Sequence, residues 1–232
     1  FATDAGLDLL TVDGSGGGTG MSPWNMMESW GVPSILLHSK TYEYASMLAA
    51  KGEKVVDIAF AGGIAREDQI FKALALGAPF TKLICMGRGA MMPGFVGSNI
   101  EGVLKPERKK EVFGNWDDLA PAVKELGSTP EEIFAGYYDV QKRVGEEEMK
   151  NIPFGAIAMW TLADKLAAGL QQLMAGARKF CLPEISRNDV FSGNRETEKE
   201  TKIPFITDVM DESAKKILNS DYKSYAKRAN AR

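Results

Sequence analysis

Three stretches of backbone nearly free of side chains are the places where this sequence could do chemistry. Asp13-Gly14-Ser15-Gly16-Gly17-Gly18-Thr19-Gly20 holds five glycines in eight residues, and Ala61-Gly62-Gly63-Ile64 and Met86-Gly87-Arg88-Gly89 are shorter versions. Without Cβ atoms a chain can approach a ligand closely, adopt positive φ and turn successive N–H groups toward one anion or oxygen-rich group. Arg88 would add a two-pronged cation suited to phosphate. The plain alternative for each stretch is a surface loop or a tight turn. Asp13 and Ser15 could contact a substrate or simply form the turn. The single histidine, His38, stands beside Ser39 and Lys40. It could serve as acid, base or hydrogen-bond donor, although no carboxylate partner is evident. Lys40 reads as an anion contact. Met26, Met27, Met91 and Met92 are flexible apolar filler that would also suit a flat ring.

Each of those stretches comes directly after an apolar run. Leu7–Val12, Ser34–Leu37, Val55–Phe60 and Phe80–Met86 are short apolar runs that read as buried strands, too uniformly apolar for a sheet with one wet face. Helical patterns lie between them at 22–30, 41–51 and 66–76. Strand, helix, strand at this spacing predicts parallel pairing, and parallel α/β proteins bind ligands at the carboxyl ends of their strands. The glycine stretches, and His38, fall at those ends. Beyond Pro93 the strand pattern stops. A helix at 116–126 is expected to end at Gly127, and Thr129-Pro130-Glu131-Glu132 to cap another reaching about 147. An amphipathic helix is expected over 154–177, a loop over 186–202 and a last helix from 208. A full (βα)₈ barrel needs eight strands in roughly 250 residues, whereas about 100 residues here carry four. The expected fold is therefore α/β, the C-terminal half of a TIM-type (βα)₈ barrel over 1–115, then a helical extension over 116–232 that packs on the barrel or mediates assembly. Phe1–Gly6 reads as the end of a helix whose strand would lie upstream.

The 232 residues are 44% hydrophobic and 25% charged, with 28 basic against 31 acidic side chains. That is an ordinary globular balance, with no basic field to hold a nucleic acid. No run approaches the roughly 18 to 20 apolar residues of a membrane helix, and no targeting pattern opens the chain. Cys85 and Cys181, far apart among apolar neighbours, read as buried thiols of a reducing compartment, so the expectation is cytoplasmic, with no metal site. No CxxC, HExxH, P-loop or GxSxG occurs.

DGSGGGTGMSP (13–23), AGGIAREDQIFKALALGA (61–78) and ICMGRG (84–89) together resemble the FMN-binding central domain of glutamate synthases. The likeness spans about residues 2 to 93, in family order and spacing. It implies an FMN-dependent oxidoreductase of amino-acid metabolism that reduces 2-iminoglutarate, made from 2-oxoglutarate and ammonia, to glutamate. It also implies that Gly17, Gly18 and Thr19 approach flavin and substrate, and that Gly62, Gly63, Met86, Gly87 and Arg88 hold the cofactor and its phosphate. Asp13, Ser15, His38 and Lys40 are then the candidates for substrate binding.

The sequence departs from the family at two points. The cysteine cluster that ligates an iron–sulfur centre begins where Arg88 stands, and no cysteines occur there. The chain is closer to the looser FMN-binding glutamate synthase domain proteins. The family's lysine on the preceding strand falls upstream of Phe1. With no amidotransferase domain, nitrogen would come as free ammonia or from a separate subunit, and an electron-donor subunit is a further expected partner. Two alternatives remain open: a flavin-using isomerase similar to type 2 isopentenyl diphosphate isomerases, and a non-catalytic half-barrel that acts by assembly, as a homo-oligomer or with a separate first half.

Overall fold

The computed structural model describes residues 1–15, 17, 21–105 and 119–220. Along the chain these form β1 (Leu9–Asp13), α1 (Trp24–Glu28), α2 (Ser34–Ala50), β2 (Asp57–Ala61), α3 (Glu67–Gly77), β3 (Thr81–Ile84) and α4 (Arg88–Leu104). Beyond them come α5 (Pro121–Lys124), α6 (Pro130–Ile133), α7 (Tyr137–Val144), α8 (Glu146–Met149), α9 (Phe154–Gly176), α10 (Arg195–Thr201) and α11 (Ile206–Asn219). Three strands form one parallel sheet in the order β1-β2-β3. The Asp57 N–H donates to Asp8 O and the Ile58 N–H to Phe80 O, each at 3.1 Å.

Ser34–Leu37, expected as a strand, is instead the first turn of α2. Four apolar residues have no period of their own, so helix and strand look alike over so short a run. Their neighbours on either side decide between the two. Pro33 occupies the N-cap position, and the hydroxyls of Ser39 and Thr41 donate to Ile35 O and Leu37 O four residues back. The described residues thus show an α/β arrangement with three parallel strands where four were expected. The edge strand β1 is also exposed on both faces. In the central strand β2, Ile58, Ala59 and Phe60 are buried, whereas Leu9 and Leu10 of the edge strand β1 are exposed.

Helix ends are legible from local chemistry. Residues 1–7 close as a Schellman turn, with the Gly6 N–H on Thr3 O, the Leu7 N–H on Ala2 O and Gly6 at φ 70°. Where a helix end was expected, these residues make a single turn and no helix precedes β1 among the described residues. Gly52, at φ 77°, closes α2 in the same way.

The chain divides into two compact units that interleave along the sequence rather than succeed one another. One comprises residues 1–60, 72–83 and the chain from Leu182; the other comprises 61–71 and 84–181. In the first, Arg187 ties the later segment down. Its guanidinium donates to Leu76 O and Thr201 O and lies 3.9 Å from the Tyr42 ring centre. Burial pushes that guanidinium below its ordinary value. The loop expected over 186–202 is therefore built structure, a single 3-10 turn at Arg187–Asp189 followed by α10, whose Asn194 cap accepts the Thr197 N–H.

In the second unit Ile100, Ile133, Phe134, Val140, Met149, Phe154, Ile157 and Ala158 form the core. Thr129 and Glu132 make the capping box their spacing predicts. The helix expected to run on to 147 breaks into α6, α7 and α8. Gly136 brings the backbone against α9, where its N–H donates to Thr161 Oγ1 at 3.2 Å, and Gly145 breaks the run again at φ 89°. The α9 expectation holds nearly to the residue. Cys85, expected buried, is half-buried, and Cys181, also expected buried, is exposed in the connection between α9 and the 3-10 turn at Leu182–Glu184. Among the described residues no helix is long and apolar enough to cross a membrane. Of the helix expected over 116–126, residues 116–118 lie outside the described residues, and the rest is helical only in α5, which starts at Pro121 after Ala120 as its N-cap.

Candidate cofactor site

The loop after β1 begins as an Asx turn, in which Asp13 Oδ1 accepts the Ser15 N–H at 2.9 Å. Asp13 thus has the turn-forming role that was one of its two readings. Gly14 is where the lack of a side chain counts most in this loop. A Cβ there would stand 2.7 Å from both Ser34 Oγ and Val32 O, so the turn packs directly on the start of α2. Gly17 is exposed. Gly18 and Thr19 lie outside the described residues.

His38 is not at a strand end. It lies in α2, 2% exposed, with its ring stacked on Phe60 of β2. Lys40, two residues on, is exposed and bonded to Glu43 at 2.7 Å. That hydrogen bond and the carboxylate's charge hold its ammonium above the usual lysine range. The sequence placed both residues at a strand end because Ser34–Leu37 read as a strand.

The loops after β2 and β3 meet. A Cβ on Gly89, in the first turn of α4, would lie 3.2 Å from Ala65 Cβ and 3.5 Å from Ile64 O. Gly89 therefore lets the start of α4 sit directly against the loop that carries Gly62 and Gly63. These two have φ of 116° and 72°, values that favour glycine. A Cβ at Gly63 or at Gly87 would meet nothing within 4 Å, so the backbone faces open space at both. Met86 is half-buried and Arg88 exposed beside them.

The two helix starts at this place differ in electrostatics. At α3 the Ala65 and Arg66 N–H groups both donate to Gln69 Oε1, at 2.9 and 3.1 Å, and the first turn carries Glu67 and Asp68. Arg66 pairs with Asp68 through two bonds. That helix end is already capped and negatively decorated. At α4, Gly87 provides no side-chain cap, the first turn has no carboxylate, and Arg88 is its first residue. A helix start without a side-chain cap, with a positive dipole end and a guanidinium, is the donor set for a phosphate. The residues present therefore fit an FMN phosphate at α4 better than at α3. Sequence reasoning missed Gln69 here, and it named Gly89 only as part of a glycine stretch, without its seat on Ala65. Gln69 stands three residues after Arg66, as in a capping box, but without the Ser or Thr that usually marks one.

Comparison with protein-family models matches residues 1–94 to the conserved region in glutamate synthase. Comparison with curated proteins and with solved structures gave no match. The match takes in all three glycine stretches and the first turns of α4, and ends before α5–α11. Over residues 1–94, and there alone, the chain is similar to the conserved region of the glutamate synthase family.

Proposed function

We propose that this chain binds FMN and works as an oxidoreductase of glutamate synthase type, reducing 2-iminoglutarate, formed from 2-oxoglutarate and ammonia, to glutamate. The observation that carries the reading is the seating of Gly89 on Ala65, which lays the uncapped start of α4 and Arg88 beside the Gly62–Gly63 turn. The phosphate of FMN is held there by first-turn N–H groups of α4 and by the Arg88 guanidinium, with Gly62, Gly63 and Gly87 keeping side chains out of its way and Met86 alongside. By the same resemblance Gly17, Gly18 and Thr19 are the candidates for flavin and substrate, and Asp13, Ser15 and Lys40 for substrate; His38, buried against Phe60, drops out of that set. When bound, the flavin supplies the two-electron transfer, and the protein supplies binding and orientation. The electrons, and any ammonia not free in solution, come from outside this chain.

The test is optical and then enzymatic. The purified chain titrated with FMN is expected to shift and quench the flavin spectrum, and with chemically reduced flavin to form glutamate from 2-oxoglutarate and ammonium. A chain that leaves the FMN spectrum unchanged at high micromolar protein would defeat the reading.

A second reading, that the chain acts by association, is favoured by β1. Leu9 and Leu10 are 44% and 37% exposed on a strand with one sheet neighbour among the described residues. An apolar sheet edge of this kind invites another strand. Light scattering after size exclusion checks it, and a monodisperse monomer at all concentrations would speak against it.

A further inference from the structure

α9 lies wholly outside the 1–94 match, yet it packs along α4 and touches the first residue of α3, the two helices that begin at the candidate phosphate site. Its register on α4 is antiparallel. Glu101 Oε2 accepts the Phe154 N–H at 3.2 Å; a Cβ on Gly97 would stand 2.5 Å from Phe154 O and 2.8 Å from Gly155 Cα; a Cβ on Gly94 would stand 3.3 Å from Met159 Sδ. As α9 advances from 154 to 159, α4 retreats from 101 to 94, toward its own start at Arg88. Ten residues further on, Gly169 meets the start of the other helix, where a Cβ would stand 2.6 Å from Glu67 Cγ and 3.1 Å from Glu67 Cβ. One stiff helix therefore touches α4 by backbone-to-backbone contact near 97 and 155, and touches the first residue of α3 about 21 Å further along its axis.

From this register we infer that α9 is a brace that fixes the first turns of α3 and α4 relative to each other, and that Gly169, Glu67 and Glu101 are positioning residues for the phosphate end of the cofactor. The inference rests on the proposal that FMN phosphate binds at the start of α4. It assigns a task to a helix that the family match does not cover. Gly155 and Gly97 set the depth of the α4 contact, and the buried Glu101 carboxylate holds the first N–H of α9 in place. At the far end Gly169 leaves room for the Glu67 side chain, through which the start of α3 rests on α9.

The test uses the whole 232-residue chain and two readouts. The first is hydrogen exchange in residues 62–66 and 87–91 of the flavin-free protein, a direct measure of how firmly those turns are held. The second is the ratio of FMN to riboflavin affinity, which isolates the phosphate. Gly169→Ala is expected to raise exchange in both segments and to lower the ratio on the order of tenfold, the loss expected when one charge-assisted hydrogen bond loses its geometry. Adding Glu67→Ala to it removes the colliding Cγ and is expected to restore both, which a general loss of stability would not allow. If Gly169→Ala does not fold, Glu67→Ala alone, which deletes the same contact without added volume, is expected to move both readouts in the same direction. Unchanged exchange at 62–66 and 87–91 in a folded variant would overturn the brace. A wild-type chain that binds FMN no better than riboflavin would instead overturn the phosphate reading, while the exchange data still judge the brace.

Discussion

His38 lies flat on Phe60, their ring centroids 3.8 Å apart and their planes 7° from parallel, so the chain's single histidine fastens α2 to the central strand of the sheet. Both side chains are buried, His38 at 2% and Phe60 at 0% exposure. His38→Ala leaves a hole against a ring that has few other ways to collapse, and is expected to lower stability by about 2 to 4 kcal/mol. His38→Phe, which keeps a flat ring, should retain most of it. Urea unfolding followed by circular dichroism distinguishes the two variants.

Arg88→Ala removes the only formal charge in the first turn of α4. FMN binding is expected to weaken by about tenfold to a hundredfold, the range for one charge-assisted hydrogen bond, and riboflavin binding to change little. Fluorescence titration with both flavins is the measurement.

Gly97→Ala places a methyl group 2.5 Å from a backbone oxygen of α9, which cannot swing aside as a side chain would. The helices must part, and the cost is expected to be on the order of 2 to 3 kcal/mol despite alanine's better helix propensity. Thermal melts should show it as a fall of several degrees. An unchanged midpoint would mean that α4 and α9 are not in contact at this position.

Asp139 gives the second unit an acid-sensitive tie. Hydrogen bonds from Arg143 at 3.2 Å and from the Trp160 indole at 2.8 Å hold its carboxyl below the ordinary 3.8. A carboxylate with a depressed folded-state pKa contributes fully above the unfolded value, and that contribution is lost as pH falls through the folded one. Stability from this group is therefore constant near neutrality and falls below about pH 4. Asp139→Asn should remove that portion of the acid dependence, as read from urea midpoints at about pH 3 to 7.

Arg187→Ala strips donors from the carbonyls of Leu76 and Thr201 together and uncovers the Tyr42 ring. A loss of about 1 to 3 kcal/mol is expected, with faster proteolysis within 182–220. Arg187→Lys, lacking the planar fork, should recover only part of it.

How much of this could be read from the residues depended on whether the signal was local. Thr129-Pro130-Glu131-Glu132 announced its helix start because a capping box is complete within four residues. Likewise the apolar stripe from 154 onward announced α9, because 23 residues average out local ambiguity. Ser34–Leu37 misled because four apolar residues satisfy strand and helix equally, and the deciding contacts lie in the next turn and in Phe60, twenty-two residues beyond His38. At the candidate site the glycine stretches were visible as composition. The seating of Gly89 on Ala65 was not, since a tertiary contact between two small residues leaves no mark on either.

Gln69 has a consequence beyond α3. By filling one of two neighbouring helix mouths with its own amide oxygen, it leaves the start of α4 as the one of this pair that can receive a negatively charged group. In the proposed FMN complex, the phosphate would then be steered to α4 because the protein itself has already closed the neighbouring doorway.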